Sequence, residues 1–246
     1  MAYETLHTMN AKMWGKMGYM ALKLDRSKAY DGVEWAFLEA VIRQMGFDEK
    51  WVGLVMTCVT SVKYSIIING EPVGLIRPSR RIRQGDPISP YLFLTCAEVL
   101  SFKLQQAAFD GTHRGVPTSP RGPKINHLFF ADDSLIFCKA TTQDWVTLSK
   151  ILDEYEAISG QRLNKDKTAV FFSRNTSREA RCNIQTLSGV PISQCYDTYL
   201  GLPDLVGRSR NWEFQNIKER VNKRVNDWKA KFLSQARKEV LLKAVI

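Results

Sequence analysis

Two adjacent carboxylates, Asp132 and Asp133, sit inside the apolar run Leu128-Phe129-Phe130-Ala131-Asp132-Asp133-Ser134-Leu135-Ile136-Phe137. Asp is disfavoured within strands, and an unpaired carboxylate is expensive to bury. Two side by side repel each other unless a cation lies near. The run therefore predicts a hairpin with the pair at its exposed tip. That tip is either a plain Asp-Asp turn or a metal-holding one, and nothing inside the run decides between them. A third carboxylate, Asp25, follows a second apolar run, residues 19–24. Clusters of carboxylates suit hard cations that prefer oxygen, Mg²⁺ above all. Two such ions about 4 Å apart can activate a hydroxyl and stabilise the leaving oxygen of an in-line phosphoryl displacement.

Whether the three carboxylates meet depends on the elements that carry them. Residues 19–24 read as a buried strand, whereas the residues before Gly18 carry no clear pattern. Asp31 and Glu34 have capping-box spacing ahead of Phe37, Leu38, Val41, Ile42 and Met45, which recur at helical intervals until Gly46. Asp48 opens a second helix with Val52, Val55, Met56 and Val59 on one face. Residues 62–68 alternate, Asn69-Gly70 is a strong hairpin signal, and residues 73–76 form the return strand. A charged loop, 77–87, leads to a helix over about 89–108, then to a Gly- and Pro-rich loop and the 125–138 hairpin. Thr141 caps a helix that Gly160 ends, residues 168–173 form a strand, and 177–187 form a short helix. Residues 199–202 read as a short strand or turn, and 211–231 as a long basic helix. A last helix after Ser234 meets no stop signal by Ile246, so a longer native chain is expected.

With the inserted helix and first hairpin set aside, the order is strand, helix, strand, strand, helix, strand. That is the split βαβ, ferredoxin-like order of an α+β fold. Its antiparallel sheet puts the first and third strands side by side at the centre. Asp25 should then lie close to Asp132 and Asp133.

Composition narrows the partners. The chain has 246 residues, 44% of them hydrophobic, enough for a substantial core. Its net charge of +10 favours a polyanionic partner such as nucleic acid or an acidic membrane surface. The last forty residues hold eleven Lys or Arg against four Asp or Glu, a net +7 of that total. Five scattered cysteines without a Cys-x-x-Cys pair argue against a disulfide framework and a zinc site, and fit a reducing intracellular setting. No apolar run reaches the length of a membrane span.

Four blocks, in this order and in these contexts, resemble the reverse transcriptases of non-LTR, LINE-type retrotransposons, most closely those of plant genomes. Ala21-Leu22-Lys23-Leu24-Asp25-Arg26-Ser27-Lys28-Ala29-Tyr30-Asp31 is similar to the first catalytic motif. Arg83-Gln84-Gly85-Asp86-Pro87-Ile88-Ser89-Pro90 is similar to the second, which contacts template and nucleotide. Phe130-Ala131-Asp132-Asp133 resembles the third, and Ser159-Gly160-Gln161-Arg162-Leu163-Asn164-Lys165-Asp166-Lys167-Thr168 the fourth. Tyr199-Leu200-Gly201 resembles the short element between palm and thumb.

The resemblance implies a polymerase palm with a remnant of fingers over residues 1–190 and a connection with a partial helical thumb over 191–246. It implies an RNA-directed DNA polymerase acting on an RNA template, a DNA primer and dNTPs, with two Mg²⁺ ions or Mn²⁺ in their place. Asp25 and Asp132 would hold both metals and Asp133 would assist. Tyr30 resembles a steric gate against a nucleotide 2′-hydroxyl, or is a core aromatic, or both. Gln84 and Gly85 would line nucleotide and template, and backbone N–H groups of residues 26–29 would touch the triphosphate. Arg83 would bind phosphate, or is a solvated loop residue. Lys167 would be the acid for the departing pyrophosphate, or is a surface lysine before a strand. Asp31 reads as a helix cap rather than a ligand. The thumb helix would track the primer–template backbone.

An upstream endonuclease and fingers region of a parent polyprotein, and an intracellular location in the nucleus and a cytoplasmic ribonucleoprotein without a membrane, complete the implied picture. The competing reading is a catalytically inactive nucleic-acid-binding remnant. One departure stands out: the family more often has a Gly near Arg81 and a Leu at Ile82. If that loop needs a positive φ, Arg81 strains it.

Overall fold

The elements in chain order are α1 (Ala2–Ala11), β1 (Tyr19–Leu24), α2 (Trp35–Gln44), α3 (Glu49–Thr60), β2 (Tyr64–Ile68), β3 (Glu71–Ile76), α4 (Ser89–Phe109), β4 (Val116–Pro117), β5 (Lys124–Ile125), β6 (His127–Phe130), β7 (Asp133–Lys139), α5 (Thr142–Ser159), β8 (Ala169–Phe172) and α6 (Arg178–Ser188). The computed structural model describes residues 2–11, 15, 17–26, 29–119, 122–131, 133–192, 215, 218, 219 and 221–223. The chain divides into two units, Met1–Cys195 and Tyr196–Ile246. In the second, the described residues Gln215, Lys218, Glu219, Val221, Asn222 and Lys223 are helical. The 199–202 element, the remainder of the predicted 211–231 helix and the last helix lie outside the described residues.

The main sheet runs β6-β7-β1-β8, with every neighbouring pair antiparallel. This is the ferredoxin-like arrangement, with the first and third strands of the motif at its centre. Alternation along β1 turns Met20, Leu22 and Leu24 to one face, where they join Ile136 and Cys138 of β7 in a core shared with α2, α4 and α5. Leu38, Leu100, Leu104 and Leu148 are fully or almost fully buried there. Each such side chain contributes about 1.5–3 kcal/mol. Ala21, Leu135, Phe137 and Phe171, on the opposite face, are buried as well. That is why β1 and β7 read as near-continuous apolar runs.

Local chemistry sets most boundaries. Asp48 caps α3 by accepting from Lys50 N–H at 2.9 Å, Thr141 caps α5 by accepting from Asp144 N–H at 3.1 Å, and Ser177 caps α6 by accepting from Ala180 N–H at 3.2 Å. Gly160 ends α5 with φ +75°. Asn69 and Gly70 join β2 to β3 with φ +52° and +86°, the two positive values of a type I′ turn.

Two expectations need correction. The predicted capping box at Asp31 and Glu34 does not form: α2 begins at Trp35 with Glu34 at its N-cap and no side-chain cap. Tertiary partners take both residues instead. Glu34 N–H donates to Ser159 C=O at 2.9 Å, and the Asp31 carboxylate meets Arg81 at 3.2 Å. The N-terminal stretch, patternless in sequence, holds α1, whose Leu6 and Met9 are buried three residues apart.

Candidate active site

The ladder between β1 and β7 pairs Leu24 with Ser134. One step further, the register sets Asp25 opposite Asp133. Both are half-buried and lie on the same face, the one opposite the core that α4 and α5 cover. β6 and β7 pair Phe130 with Asp133. Ala131 takes φ +50°, a left-handed conformation. Such a conformation costs a non-glycine residue about 1–2 kcal/mol. Asp132 itself lies outside the described residues. Among the described residues no group of three or more His, Cys, Asp or Glu forms a cluster. The donor set at this end of the sheet is carboxylate oxygen, which matches a hard divalent cation.

The fourth block closes onto Asp25 through backbone. Asp25 N–H donates to Thr168 Oγ1 at 3.3 Å, and its carbonyl accepts from Asn164 N–H at 2.9 Å. Arg26 and Leu163 add an antiparallel bridge. Lys167 is exposed in the turn so formed, its N–H donating to Asn164 C=O at 3.2 Å.

The second block is tied to the first through Tyr30. Its carbonyl accepts from Ile82 N–H at 2.9 Å, and its ring stacks on Phe93 of α4 with centroids 4.7 Å apart. Arg81 has φ +102°, so the loop does place a positive φ where the sequence puts Arg. Hydrogen bonds on both sides hold that conformation: Arg81 N–H donates to Val33 C=O and its carbonyl accepts from Trp35 Nε1, each at 2.8 Å. Arg83 and Gln84 are exposed, and Arg83 pairs with Asp86 at 3.5 Å. Gly85 has φ +97°, and a Cβ there would meet open space. Its conformation, rather than crowding, calls for glycine.

One group escaped the sequence reading. Arg26, considered there only for its backbone, has a buried guanidinium. Nη2 donates to Ser134 Oγ at 3.0 Å and Nη1 to Gln161 Oε1 at 3.3 Å. Its Cζ lies 5.6 Å from the ring centres of Phe93 and Tyr155 and 5.7 Å from that of Phe129. Burial pushes the Tyr155 hydroxyl and the Cys96 thiol up to about 12 each, against the lowering effect of the Arg26 charge. Both therefore keep their protons, and Tyr155 donates its own to Gln161 at 2.6 Å. A signal for Arg26 was available: the inward alternation Met20, Leu22, Leu24 continues to position 26.

A four-stranded antiparallel sheet of this order, with carboxylates opposed at the ends of its two central strands, defines an α+β fold of the polymerase-palm class. The family model for reverse transcriptase (RNA-dependent DNA polymerase) matches residues 3–234, and the chain belongs to that family. It is 30% identical over 118 residues to a retrovirus-related Pol polyprotein from type-1 retrotransposable element R2 of Popillia japonica, covering 48% of this chain and 18% of that protein. It is 31% identical over 149 residues to the Pol polyprotein from type-2 element R2DM of Drosophila melanogaster, covering 58% and 13%. An uncharacterized mitochondrial protein of Arabidopsis thaliana is 56% identical over 68 residues, covering 28% of this chain and 56% of that one. The chain thus spans less than two thirds of the length of these relatives. In fold it is similar to apo telomerase from Candida tropicalis, with TM-score 0.52 and 14% identity over 72% of this chain and 35% of that one. Among the described residues no helix is long and apolar enough to cross a membrane.

Proposed function

We propose that this chain is the RNA-directed DNA polymerase domain of a LINE-type retroelement, extending a primer 3′-hydroxyl with dNTPs on an RNA template. The register that sets Asp25 opposite Asp133, the residue after Asp132 in the sequence, carries this reading. Asp25 and Asp132 are the proposed ligands of two divalent ions, Mg²⁺ or Mn²⁺, with Asp133 assisting. Such ions, when bound, neutralise charge on the transferring phosphoryl group and activate the attacking hydroxyl.

The chain's own residues position and select. Two central strands hold Asp25 and Asp133 in one register, so their geometry is set before substrate arrives. The Tyr30 ring excludes a 2′-hydroxyl. Backbone N–H groups of residues 26–29 receive the triphosphate, Gln84 and Gly85 face nucleotide and template, and Arg83 binds phosphate. Lys167 gives a proton to the departing pyrophosphate. Residues 1–190 act as palm with a remnant of fingers, and residues 191–246 as connection and partial thumb whose positive charge tracks the duplex backbone. The parent context is a polyprotein with upstream endonuclease and fingers regions, working in a nuclear and ribonucleoprotein setting.

Primer extension on an RNA template tests this. Asp25→Asn and Asp132→Asn should each lower the rate by a factor on the order of a thousand, the equivalent of several kcal/mol of charge stabilisation. Equal synthesis by the wild type and Asp132→Asn would overturn the catalytic reading. Salt-sensitive binding to an RNA–DNA hybrid without any synthesis would favour a binding remnant instead.

A further inference from the structure

Resting on the polymerase function proposed above, we propose that Arg26 is a positioning residue for Tyr30 and thereby sets how strongly the site prefers deoxyribonucleotides over ribonucleotides. Two routes run from its guanidinium to that ring. The first is aromatic. Arg26 Cζ lies 5.6 Å from the centre of the Phe93 ring, and Tyr30 stacks on the same ring at 4.7 Å with an interplanar angle of 20°. A desolvated cation holds an aromatic face more firmly than an exposed one does. Arg26 is only 6% exposed.

The second route runs through an amide. Arg26 Nη1 and the Tyr155 hydroxyl both donate to Gln161 Oε1, at 3.3 and 2.6 Å. Two donors at one end leave the amide a single orientation, with its NH₂ turned away from them. Gln161 Nε2 then donates to Ala29 C=O at 2.7 Å, one residue before Tyr30. Ring and backbone at the gate are therefore held by the same cation. Arg26 is anchored in turn on β7, where Nη2 donates to Ser134 Oγ at 3.0 Å, beside Asp133. The strand that carries Asp133 and the selecting ring thus share one buried tie, so the spacing between them follows Arg26.

The test uses the full chain with Arg26→Met, Arg26→Lys and Phe93→Leu. Met fills a similar volume, so the fold survives while the cation and the amide's orienting donor are lost. The readout is the ratio of kcat/KM for a dNTP to that for the matching rNTP in primer extension. Arg26→Met and Phe93→Leu should lower this ratio roughly tenfold or more, because displacements of about 1 Å carry effects of that size and larger. Arg26→Lys should restore part of it. A merely structural role would slow both nucleotides together and leave the ratio unchanged.

A second readout needs no activity. The Tyr30 ring protons carry the ring-current shift of Phe93, and in nucleotide-free Arg26→Met that shift should collapse. An unchanged ratio with unmoved Tyr30 signals overturns the proposal, and Arg26→Lys decides in the same way if the Met variant does not fold. If the wild type synthesises nothing, the polymerase function fails by itself and takes the nucleotide preference with it. The Tyr30 signals then decide whether Arg26 positions the ring.

Discussion

At Arg81 the backbone takes φ +102°, a region open to glycine and costly for other residues. Its side chain recovers part of that cost through Asp31 at 3.2 Å and the face of Tyr64 at 5.1 Å. Comparing two substitutions separates the effects. Arg81→Ala and Arg81→Gly both lose the side-chain contacts, but only Gly relieves the backbone. In denaturant titrations the Gly variant should be the more stable of the two by about 1 kcal/mol; equal stabilities would mean that the loop is not strained.

Buried His113 and half-buried His127 make a second prediction. Burial lowers the pKa of His113, against the raising effect of the Asp144 carboxylate, and it lowers that of His127, with His113 adding to the effect. The unfolded chain therefore takes up these protons more readily than the fold does. The stability they support is present above the ordinary imidazole value of 6.5 and is lost as pH falls below it toward the lowered values. Unfolding midpoints at about pH 7.5 and about pH 5.5, on either side of that value, should differ, with the lower midpoint in acid. His113→Leu should shrink the difference.

Among the elements, the β2–β3 hairpin combines an accurate local signal with an unexpected environment. Asn69-Gly70 makes the turn that its sequence predicts, yet Ile66, Ile67, Ile68, Val73, Leu75 and Ile76 are all exposed. Alternation implied one buried face; both faces are open because, among the described residues, the two strands pair only with each other. A hairpin without a third strand is marginal on its own. Gly70→Ala, at φ +86°, should therefore open residues 64–76 locally. Amide exchange should quicken there while the global melting temperature stays put; a global drop would mean that the hairpin is part of the core's cooperative unit. The α5 cap behaves oppositely. Thr141 joins α5 to the end of the central strand β7, so Thr141→Ala should destabilise the whole unit, by about 1–2 kcal/mol in chemical denaturation.

For the molecule as a whole, charge bears on the proposed nucleic-acid partner. The net +10 predicts that affinity for an RNA–DNA hybrid falls steeply with salt. If about six phosphates are neutralised, binding measured at about 50 and about 200 mM salt should differ roughly a thousandfold. A flat salt profile would remove the basic surface from the binding account. The sheet that organises this molecule was legible in strand order, caps and turn residues, and so was the neighbouring of the strands that carry Asp25 and Asp133. α1 was not legible, because two apolar residues on one turn give too weak a period.

What the sequence determined by itself is what neighbours along the chain encode: the Asn-Gly turn, the Asp48, Thr141 and Ser177 caps, the glycine that ends α5, and the four ordered blocks with their carboxylates. Only the tertiary structure decided the fate of charges whose partners are distant. Asp31 left its predicted cap for Arg81, and Glu34 gave its N–H to Ser159. Arg26 went inward to meet Ser134 and Gln161, 108 and 135 positions away. A cap or a turn is satisfied within a few residues, so local sequence can specify it. A buried guanidinium is tolerated only where donors, acceptors and rings from several elements converge, and that convergence exists only once the sheet has closed.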